Sequence, residues 1–357
     1  MQFGTFVLMN GPEWKSDKQI YDEAVEQAVL AEELGFDAIW LAEHHFSRYA
    51  ILADPMMLVT YLVARTKRIT IGLAVSILPF HNPLLLAEQG AIADLLSNGR
   101  FVMGIGRGYQ SQEFQKLGLE IADSRERFLE IYDVLKLAWS RKEFSYNGKI
   151  FKIPPTRVYP DPLQNPYPPI AIATSGTRET MQWAAQQGLP FISGGAFPEM
   201  EGVRKRIEQY VIDAKEAGWS QDHIERCLDA SPFSRRIYVA SSDRDAFERP
   251  KEHVLWFHNK LMENGLPTDK KKEASYKEHM ERMRTRSLQT YDDIWKQDLY
   301  ATPDKMTAAI KVHQQMGIRN LVGWFNFGGM PNDMVVASMT RFSKEVMPAF
   351  KPVGARR

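Results

Sequence analysis

Two histidines and a carboxylate stand side by side at Glu43, His44 and His45, immediately after an apolar run at 37–42. A histidine there could be a general base, a hydrogen-bond donor to an oxyanion or a metal ligand. A metal is disfavoured, because adjacent residues of extended backbone point to opposite faces and no second cluster at a strand end completes a ligand shell. We therefore predict acid–base or hydrogen-bonding chemistry and no metal, with capping of loop carbonyls as the structural alternative.

A second candidate is the glycine-rich segment 104–109, Gly-Ile-Gly-Arg-Gly-Tyr. Glycines let a phosphate or a ring approach the main chain, and Arg107 could hold a phosphate through a bidentate pair. The segment does not fit the dinucleotide pattern G-x-G-x-x-G, because Tyr109 stands where the last glycine is needed. A tight turn would also explain these glycines.

A third candidate is a turn of small residues before a helix predicted at 179–186. It consists of Ser175, Gly176 and Thr177. The backbone N–H groups of a helix N-terminus can bind an anion, although plain N-capping would use the same residues. Arg125 opens another predicted helix and could lie near the turn or be a surface arginine. If the fourth and fifth strands are neighbours, Arg107, Arg125 and the turn converge on one phosphate.

The elements that must position these residues alternate between short apolar runs and helical patterns. Eight runs are predicted as strands, at 3–9, 37–42, 69–77, 100–106, 169–173, 189–193, 236–240 and 320–325. Strand–helix alternation implies a parallel sheet, and eight such units favour a closed α/β barrel, the (β/α)8 or TIM barrel, over two doubly wound domains. We therefore expect one domain over residues 1–357, with its catalytic groups at the carboxyl ends of the strands.

Two stretches exceed the length of a simple crossover and are predicted insertions. One, at 143–168, is rich in proline and follows the fourth helix. The other, at about 243–298, lies between strands seven and eight and is either an active-site lid or a surface helical hairpin. Aromatic residues near it, Trp256, Phe257 and Trp324, either line an apolar pocket or pack in the core.

Composition narrows the class of protein. The 357 residues carry a formal net charge of +1, so no global field would gather nucleic acid or an anionic membrane. The single cysteine, Cys227, cannot form an internal disulfide, and the first apolar run lacks a basic leader and is too short to span a bilayer. We expect a soluble, cytoplasmic protein with no nucleic-acid or membrane partner.

The segment Glu-His-His-Phe at 43–46, combined with Gly-Arg-Phe-Val-Met-Gly-Ile-Gly-Arg-Gly at 99–108, resembles the bacterial luciferase-like flavin-dependent monooxygenases, above all relatives of the luciferase α subunit. The resemblance covers nearly the whole chain and weakens in 243–298. It implies a (β/α)8 barrel that binds reduced FMN (FMNH2) delivered by a separate flavin reductase. It further implies reaction with O2 to a C4a-peroxyflavin, oxidation of a small or medium apolar substrate such as a carbonyl compound, and a homodimer.

The resemblance also implies roles for single residues. His44 resembles the family's acid–base histidine beside the flavin, with His45 and Glu43 in the same catalytic motif. Ala74 and Val75 match a non-proline cis peptide under the isoalloxazine ring. The full set of implied cofactor-binding residues is Ala74, Val75, Gly106, Arg107, Glu113, Arg125, Ser175, Gly176 and Thr177. In this set Glu113 matches an acidic position close to the flavin, and Arg107, Arg125 and the turn match the phosphate site.

Two other functions remain open at this point. A deazaflavin-dependent oxidoreductase would use the same fold with an acid–base residue after strand two. A non-catalytic subunit would resemble luciferase β and stabilise a catalytic homologue. Light emission and aldehyde use are not implied, because Gly106 stands where light-emitting members often have cysteine.

Overall fold

The computed structural model describes residues 1–174, 178–194, 200–265, 285 and 287–350. The predicted turn at 175–177 therefore lies outside the described residues, as do 266–284 and 286 of the predicted insertion. In chain order the strands are β1 (Gln2–Val7), β2 (Ala38–Leu41), β3 (Thr70–Leu73), β4 (Ser76–Ile77), β5 (Phe101–Gly106), β6 (Phe144–Asn147), β7 (Lys152–Thr156), β8 (Ile170–Ala173), β9 (Phe191–Gly194), β10 (Pro232–Val239), β11 (Leu299–Ala301) and β12 (Asn320–Trp324).

Eight of these strands close a parallel barrel. The order around it is β1, β2, β3, β5, β8, β9, β10 and β12, and β12 pairs with β1 to complete the ring. β4 continues the line of β3 and pairs with β5. The predicted (β/α)8 barrel is thereby confirmed.

Helices surround the barrel or lie over one of its ends. They are α1 (Asp17–Glu33), α2 (Pro55–Val63), α3 (Pro83–Ser97), α4 (Ser111–Lys116), α5 (Ser124–Ala138), α6 (Arg178–Gln187), α7 (Met200–Glu216), α8 (Gln221–Asp229), α9 (Asp243–Glu248), α10 (Lys251–Gly265), α11 (Tyr291–Trp295), α12 (Pro303–Gln315) and α13 (Asn332–Arg341). Local sequence sets several of their starts. Asp54 and Asn82 cap α2 and α3 through their side chains, each followed by a proline at the first helical position.

Large side chains fill the interior of the barrel on one side. Trp40 and Val322 are buried there, with Phe6, Val102 and Ile192 packed against them. Gly72 of β3 must lack a side chain, because an added Cβ would lie 2.5 Å from the Trp40 ring. The Trp40 indole therefore fills the space that a side chain at position 72 would need.

Three elements differ from the prediction. The run at 69–77 is divided into β3 and β4, and the stretch 143–168 contains the antiparallel hairpin β6–β7. The strand predicted at 236–240 begins at Pro232, and its last residues, Ile237 to Val239, pair with the unpredicted β11. From the sequence only the second half of β10 is recognised as a strand. Ser234, Arg235 and Arg236 interrupt the hydrophobic pattern of the first half, which pairs with β12 in the barrel.

The helix α10 of the second insertion lies over the carboxyl ends of the strands. Its Phe257 ring meets the Trp324 ring at 4.6 Å and the Tyr49 ring at 5.4 Å. Gln112, at the start of α4, donates a hydrogen bond to the Glu263 carbonyl at 3.5 Å. These contacts favour a lid over a surface hairpin that does not reach the barrel mouth, and we propose that α10 acts as a lid.

Candidate active site at the carboxyl ends of the strands

His44 and Glu113 form a buried pair at the barrel mouth. His44 follows β2 and Glu113 lies on α4, with 3.0 Å between His44 Nδ1 and Glu113 Oε1. The two side chains are 9% and 1% exposed. Gln110 Nε2 lies farther from the same ring nitrogen, at 3.4 Å. Because a carboxylate only accepts, His44 donates from Nδ1, and in the neutral ring Nε2 is then the nitrogen without a proton.

Glu113 also holds the neighbouring histidine. Its Oε1 accepts a hydrogen bond from the backbone N–H of His45 at 2.8 Å. Its Oε2 is buried and has no hydrogen-bond partner among the described residues. A buried acceptor without a partner is costly, which makes this oxygen available to a bound ligand.

Glu43 is the centre of a second cluster. Its Oε1 lies 2.9 Å from His45 Nε2, and both carboxylate oxygens lie 3.0 Å from His81 Nε2. Oε2 accepts the backbone N–H of Ile77 at 2.8 Å. Burial alone would raise the pKa of Glu43, but the hydrogen bonds from His45, His81 and Ile77 outweigh it and hold the pKa below its usual value. Glu43 therefore stays ionised and orients its donors.

Sequence reasoning missed His81. It follows β4, and its closeness to Glu43 arises only because β2 and β3 are neighbours in the barrel. Burial would lower the pKa of His81, but the hydrogen bond and the charge of Glu43, with a smaller contribution from Asp54, raise it above its usual 6.5. His81 could have been found from the sequence by inspecting the residues after every strand, because functional groups of such barrels lie at the carboxyl ends of the strands.

Substituting asparagine for His81 is expected to flatten the pH dependence of stability. Because the pKa of His81 is raised in the folded protein, its contribution is fully present below about pH 6.5 and is lost as the pH rises through the folded pKa. Urea unfolding at pH 6 and pH 9 should show a smaller difference in free energy of unfolding for the variant than for the wild type. His223→Asn, which alters a histidine bonded to the Gly188 carbonyl, should keep the wild-type difference. Equal pH dependence in all three proteins would contradict this assignment.

The peptide bond between Ala74 and Val75 is cis, as predicted. The Ala74 N–H donates to the Leu41 carbonyl at 2.7 Å, and the Val75 carbonyl accepts from the Glu43 N–H at 3.3 Å. Val75 also packs on Gly106, where an added Cβ would lie 2.4 Å from Val75 Cγ2. The position of this bond beneath a flavin ring stays a prediction.

The predicted phosphate site is brought together in part. β5 and β8 are neighbours, which was the condition for Arg107 and the turn at 175–177 to converge. Arg107 is exposed at the end of β5 and makes no hydrogen bond or ion pair with the residues that the structure describes. Arg125, in the first turn of α5, pairs with Glu179 in the first turn of α6 at 2.5 Å. Ser175, Gly176 and Thr177 lie outside the described residues, directly before α6.

Aromatic rings form the opposite wall. The His44 ring meets the Tyr49 ring edge to face at 4.9 Å, and Tyr49 contacts Phe257, which contacts Trp324. Of the three predicted aromatic residues, Trp256 lies apart, and its Nε1 donates to Glu13 Oε2 at 2.9 Å. Sequence reasoning missed Tyr49, which follows the histidine motif closely, and Arg236, which lies beside Phe257.

Within the described ranges, no group of three or more His, Cys, Asp or Glu side chains is arranged to hold a metal ion. No helix in the same part of the chain combines the length and the apolar character that crossing a bilayer requires.

A sequence profile of the family described as "Luciferase-like monooxygenase" matches residues 1–320. The oxygenase component of a flavin-dependent trigonelline monooxygenase from Acinetobacter baylyi is 29% identical over 363 residues, which cover 98% of this chain and 96% of that protein. That name describes the relative and not this chain.

Two solved structures have a similar fold. One is the oxygenating constituent of 3,6-diketocamphane monooxygenase from Pseudomonas putida in complex with FMN, with a TM-score of 0.81, 19% identity and coverage of 98% of each chain. The other is an F420-dependent secondary alcohol dehydrogenase, with a TM-score of 0.75, 20% identity and coverage of 98% of this chain and 99% of that one. At these identities the likeness concerns the fold alone.

Proposed function

Because the chain belongs to the luciferase-like monooxygenase family, we propose that it is an FMNH2-dependent monooxygenase that oxidises a small or medium, mainly apolar organic substrate with O2. The observation that carries the proposal is the buried His44–Glu113 pair. It lies at the same barrel mouth as the exposed cation Arg107, which has no ion-pair partner among the described residues. The relative from Acinetobacter baylyi is named as an oxygenase component, which supports a separate flavin reductase as the source of reduced flavin.

The residues present fit a flavin with a phosphate tail. Arg107 and Arg125, with the turn at 175–177, would hold the phosphate, and the backbone at Ala74 and Val75 would support the ring. When bound, reduced FMN would supply the electrons that activate O2. His44 would hold and transfer a proton at Nε2 while Glu113 fixes its ring, and α10 with its aromatic contacts would keep water out.

Binding of the cofactor can be tested at Arg107. Arg107→Ala should weaken the affinity for reduced FMN by roughly 10- to 100-fold, because a charge-assisted hydrogen bond to phosphate contributes about 1.5–3 kcal/mol. Anaerobic calorimetric titration with reduced FMN measures the effect. The matched control is Lys142→Ala, which removes an exposed cation beyond the carboxyl end of α5, at the opposite end of the barrel. Unaltered affinity in Arg107→Ala would place the phosphate elsewhere.

A competition titration distinguishes the two candidate cofactors, FMN and F420. A deazaflavin-dependent oxidoreductase is the alternative, because the same fold occurs in an F420-dependent alcohol dehydrogenase. Competition between reduced FMN and reduced F420 for the wild-type protein should favour FMN if the proposed function holds. Preference for F420 would favour the oxidoreductase. The presence of His44, Arg107 and Arg125 argues against a non-catalytic subunit. Oxygenation of substrate by the purified chain with reduced FMN would exclude it.

We also propose a homodimer that forms through α2 and α3. Met57 and Tyr61 on α2, and Leu85, Ile92 and Leu96 on α3, are exposed apolar residues at helical spacing. Sedimentation velocity should give the mass of two chains, and the double variant Leu85→Arg, Leu96→Arg should sediment as a monomer. Val312→Arg, which alters an exposed apolar residue of α12, should remain dimeric. A wild-type monomer would refute the dimer.

Cytoplasmic localisation and a single domain over 1–357 stay predictions.

A further inference from the structure

The helix α10 has two faces with different contacts. Phe257 reaches the barrel mouth, where its ring meets the Tyr49 and Trp324 rings. A second face, whose members are three and four residues apart, contacts the loop at 11–16 that follows β1. It consists of His253, Trp256 and Lys260. The contacts of this second face with the loop therefore help to decide where Phe257 lies.

Glu13 of the loop binds two residues of that face at once. Its Oε2 accepts a hydrogen bond from Trp256 Nε1 at 2.9 Å, and its Oε1 lies 3.1 Å from Lys260 Nζ. Chiefly the hydrogen bond from Trp256, with smaller contributions from the Glu13 backbone and Lys260, lowers the pKa of Glu13 to about 2. The carboxylate therefore stays ionised near neutral pH, and its two oxygens hold successive turns of α10.

Neighbouring contacts fix the same face of the helix. The Trp14 ring meets the Trp256 ring edge to face at 5.9 Å, and Trp14 Nε1 donates to the Gly329 carbonyl at 3.4 Å. His253 donates from Nδ1 to the Gly328 carbonyl at 3.1 Å. Gly328 has no room for a side chain, because an added Cβ would lie 1.8 Å from the His253 carbonyl oxygen. The loops after β1 and β12 thus both press on α10.

The loop at 11–16 is itself fixed to the barrel. Lys15 is buried and pairs with Glu23 of α1 at 2.5 Å. Its ammonium group also donates to the Met330 carbonyl at 2.6 Å. Arg48 donates hydrogen bonds to two carbonyls of the loop. Because the loop is held at several points, a contact from the loop sets the position of α10 relative to the barrel.

We propose that Glu13 is a positioning residue that holds α10, and with it Phe257, over the barrel mouth through Trp256 and Lys260. The side chain of Glu13 is 58% exposed and contacts the face of α10 that does not carry Phe257, so it acts through the helix and not by touching a ligand. The inference rests on the proposed function, because a covered mouth would keep water from reduced flavin.

Hydrogen–deuterium exchange of the cofactor-free protein tests the contact directly. The backbone amides at 251–265 should exchange about 2- to 10-fold faster in Glu13→Ala than in the wild type, because the helix opens more often once the hydrogen bond is lost. Glu13→Gln keeps an acceptor for Trp256 but loses the charge opposite Lys260, so it should lie between the two. The matched control is Glu33→Ala, which removes an exposed carboxylate at the end of α1 and should exchange like the wild type. Unaltered exchange in Glu13→Ala would overturn the proposal.

A double-mutant cycle assigns the effect to the contact with Trp256. Trp256→Phe removes the indole N–H and keeps a ring against Trp14. It should speed exchange at 251–265 in the wild-type background and have a clearly smaller effect in the Glu13→Ala background, because the hydrogen bond is already absent there. Strictly additive effects would show that Glu13 does not act through Trp256, which would refute the proposed path.

Release of hydrogen peroxide connects the position of α10 with the reaction. Reduced FMN is bound anaerobically, O2 is added without substrate, and hydrogen peroxide is followed over time. We expect faster release in Glu13→Ala at unchanged affinity for reduced FMN, with part of the wild-type rate recovered in Glu13→Gln. Faster exchange at 251–265 with unchanged peroxide release would overturn the positioning role. A wild-type protein that does not bind reduced FMN would refute the proposed function, whereas the exchange measurements would still decide whether Glu13 holds α10.

Discussion

Replacing His44 with alanine is expected to lower the rate of substrate oxidation by about 10²–10⁴-fold while reduced FMN still binds. The imidazole lies against Glu113, and it is not among the cations that would hold the phosphate. Its removal should therefore affect proton transfer rather than affinity. In the variant, O2 consumption should continue with hydrogen peroxide as the main product, because reduced flavin still reacts with O2 but the oxidation of substrate is no longer supported.

Two measurements on the same preparation test this expectation. Anaerobic titration gives the affinity for reduced FMN, and the ratio of oxidised product to hydrogen peroxide gives the coupling. The control is His223→Ala, which changes a histidine of α8 that bonds the Gly188 carbonyl outside the barrel mouth. An unchanged product yield would remove His44 from the mechanism, and a loss of affinity equal to the loss of rate would make it a binding residue instead.

The two carboxylates of the site hold the histidine pair from opposite sides. Glu113 accepts hydrogen bonds from the His44 ring and from the His45 backbone N–H. Glu43 accepts one from the His45 ring. The Glu43 carboxylate also accepts a hydrogen bond from the Ile77 N–H, and the Glu43 N–H donates to the Val75 carbonyl. The sequence resemblance implies a catalytic role for Glu43, but its contacts are those of a residue that positions others. His44 is the member of the motif that we propose for proton transfer, through the ring nitrogen that Glu113 does not hold.

Sequence reasoning located residues correctly where a local pattern defines their position. Glu43, His44 and His45 are contiguous, and the barrel rule places them at the carboxyl end of β2. The same rule, with strand alternation, placed Arg107 at the end of β5. The cis bond between Ala74 and Val75 was predicted from the resemblance alone, since nothing in the composition of that run indicates it.

It failed where a side chain is placed by contacts between distant segments. Glu43 and His81 are 38 residues apart and meet only because their strands are adjacent. Arg236 and Asp298 are 62 residues apart, and the arginine interrupts an apolar strand, which hid both the start of β10 and the buried ion pair. No single-sequence periodicity records such pairs, because each partner taken alone looks like an ordinary polar residue.

Glu43→Ala should have the largest effect on stability. The substitution leaves His81 without its anion and leaves the Ile77 N–H buried without an acceptor. Breaking a buried charged pair by removing one partner costs about 3–5 kcal/mol, so the free energy of unfolding should fall by that amount at pH 7. Urea unfolding followed by circular dichroism measures it as a lower midpoint with an unchanged slope.

Glu43→Gln and Glu143→Ala separate the contributions. The side-chain amide introduced by Glu43→Gln keeps one acceptor oxygen but loses the charge that raises the pKa of His81, so the loss of stability in this variant should be intermediate. Glu143 is an exposed carboxylate just before β6, and its removal should have little effect. The lowered pKa of Glu43 adds a sign test: its stabilisation is present above its unfolded pKa and is lost as the pH falls through the lower folded pKa. The wild type and Glu43→Ala should therefore converge in acid, and a gap that persists through acid would show that Glu43 stabilises the protein by packing rather than by charge.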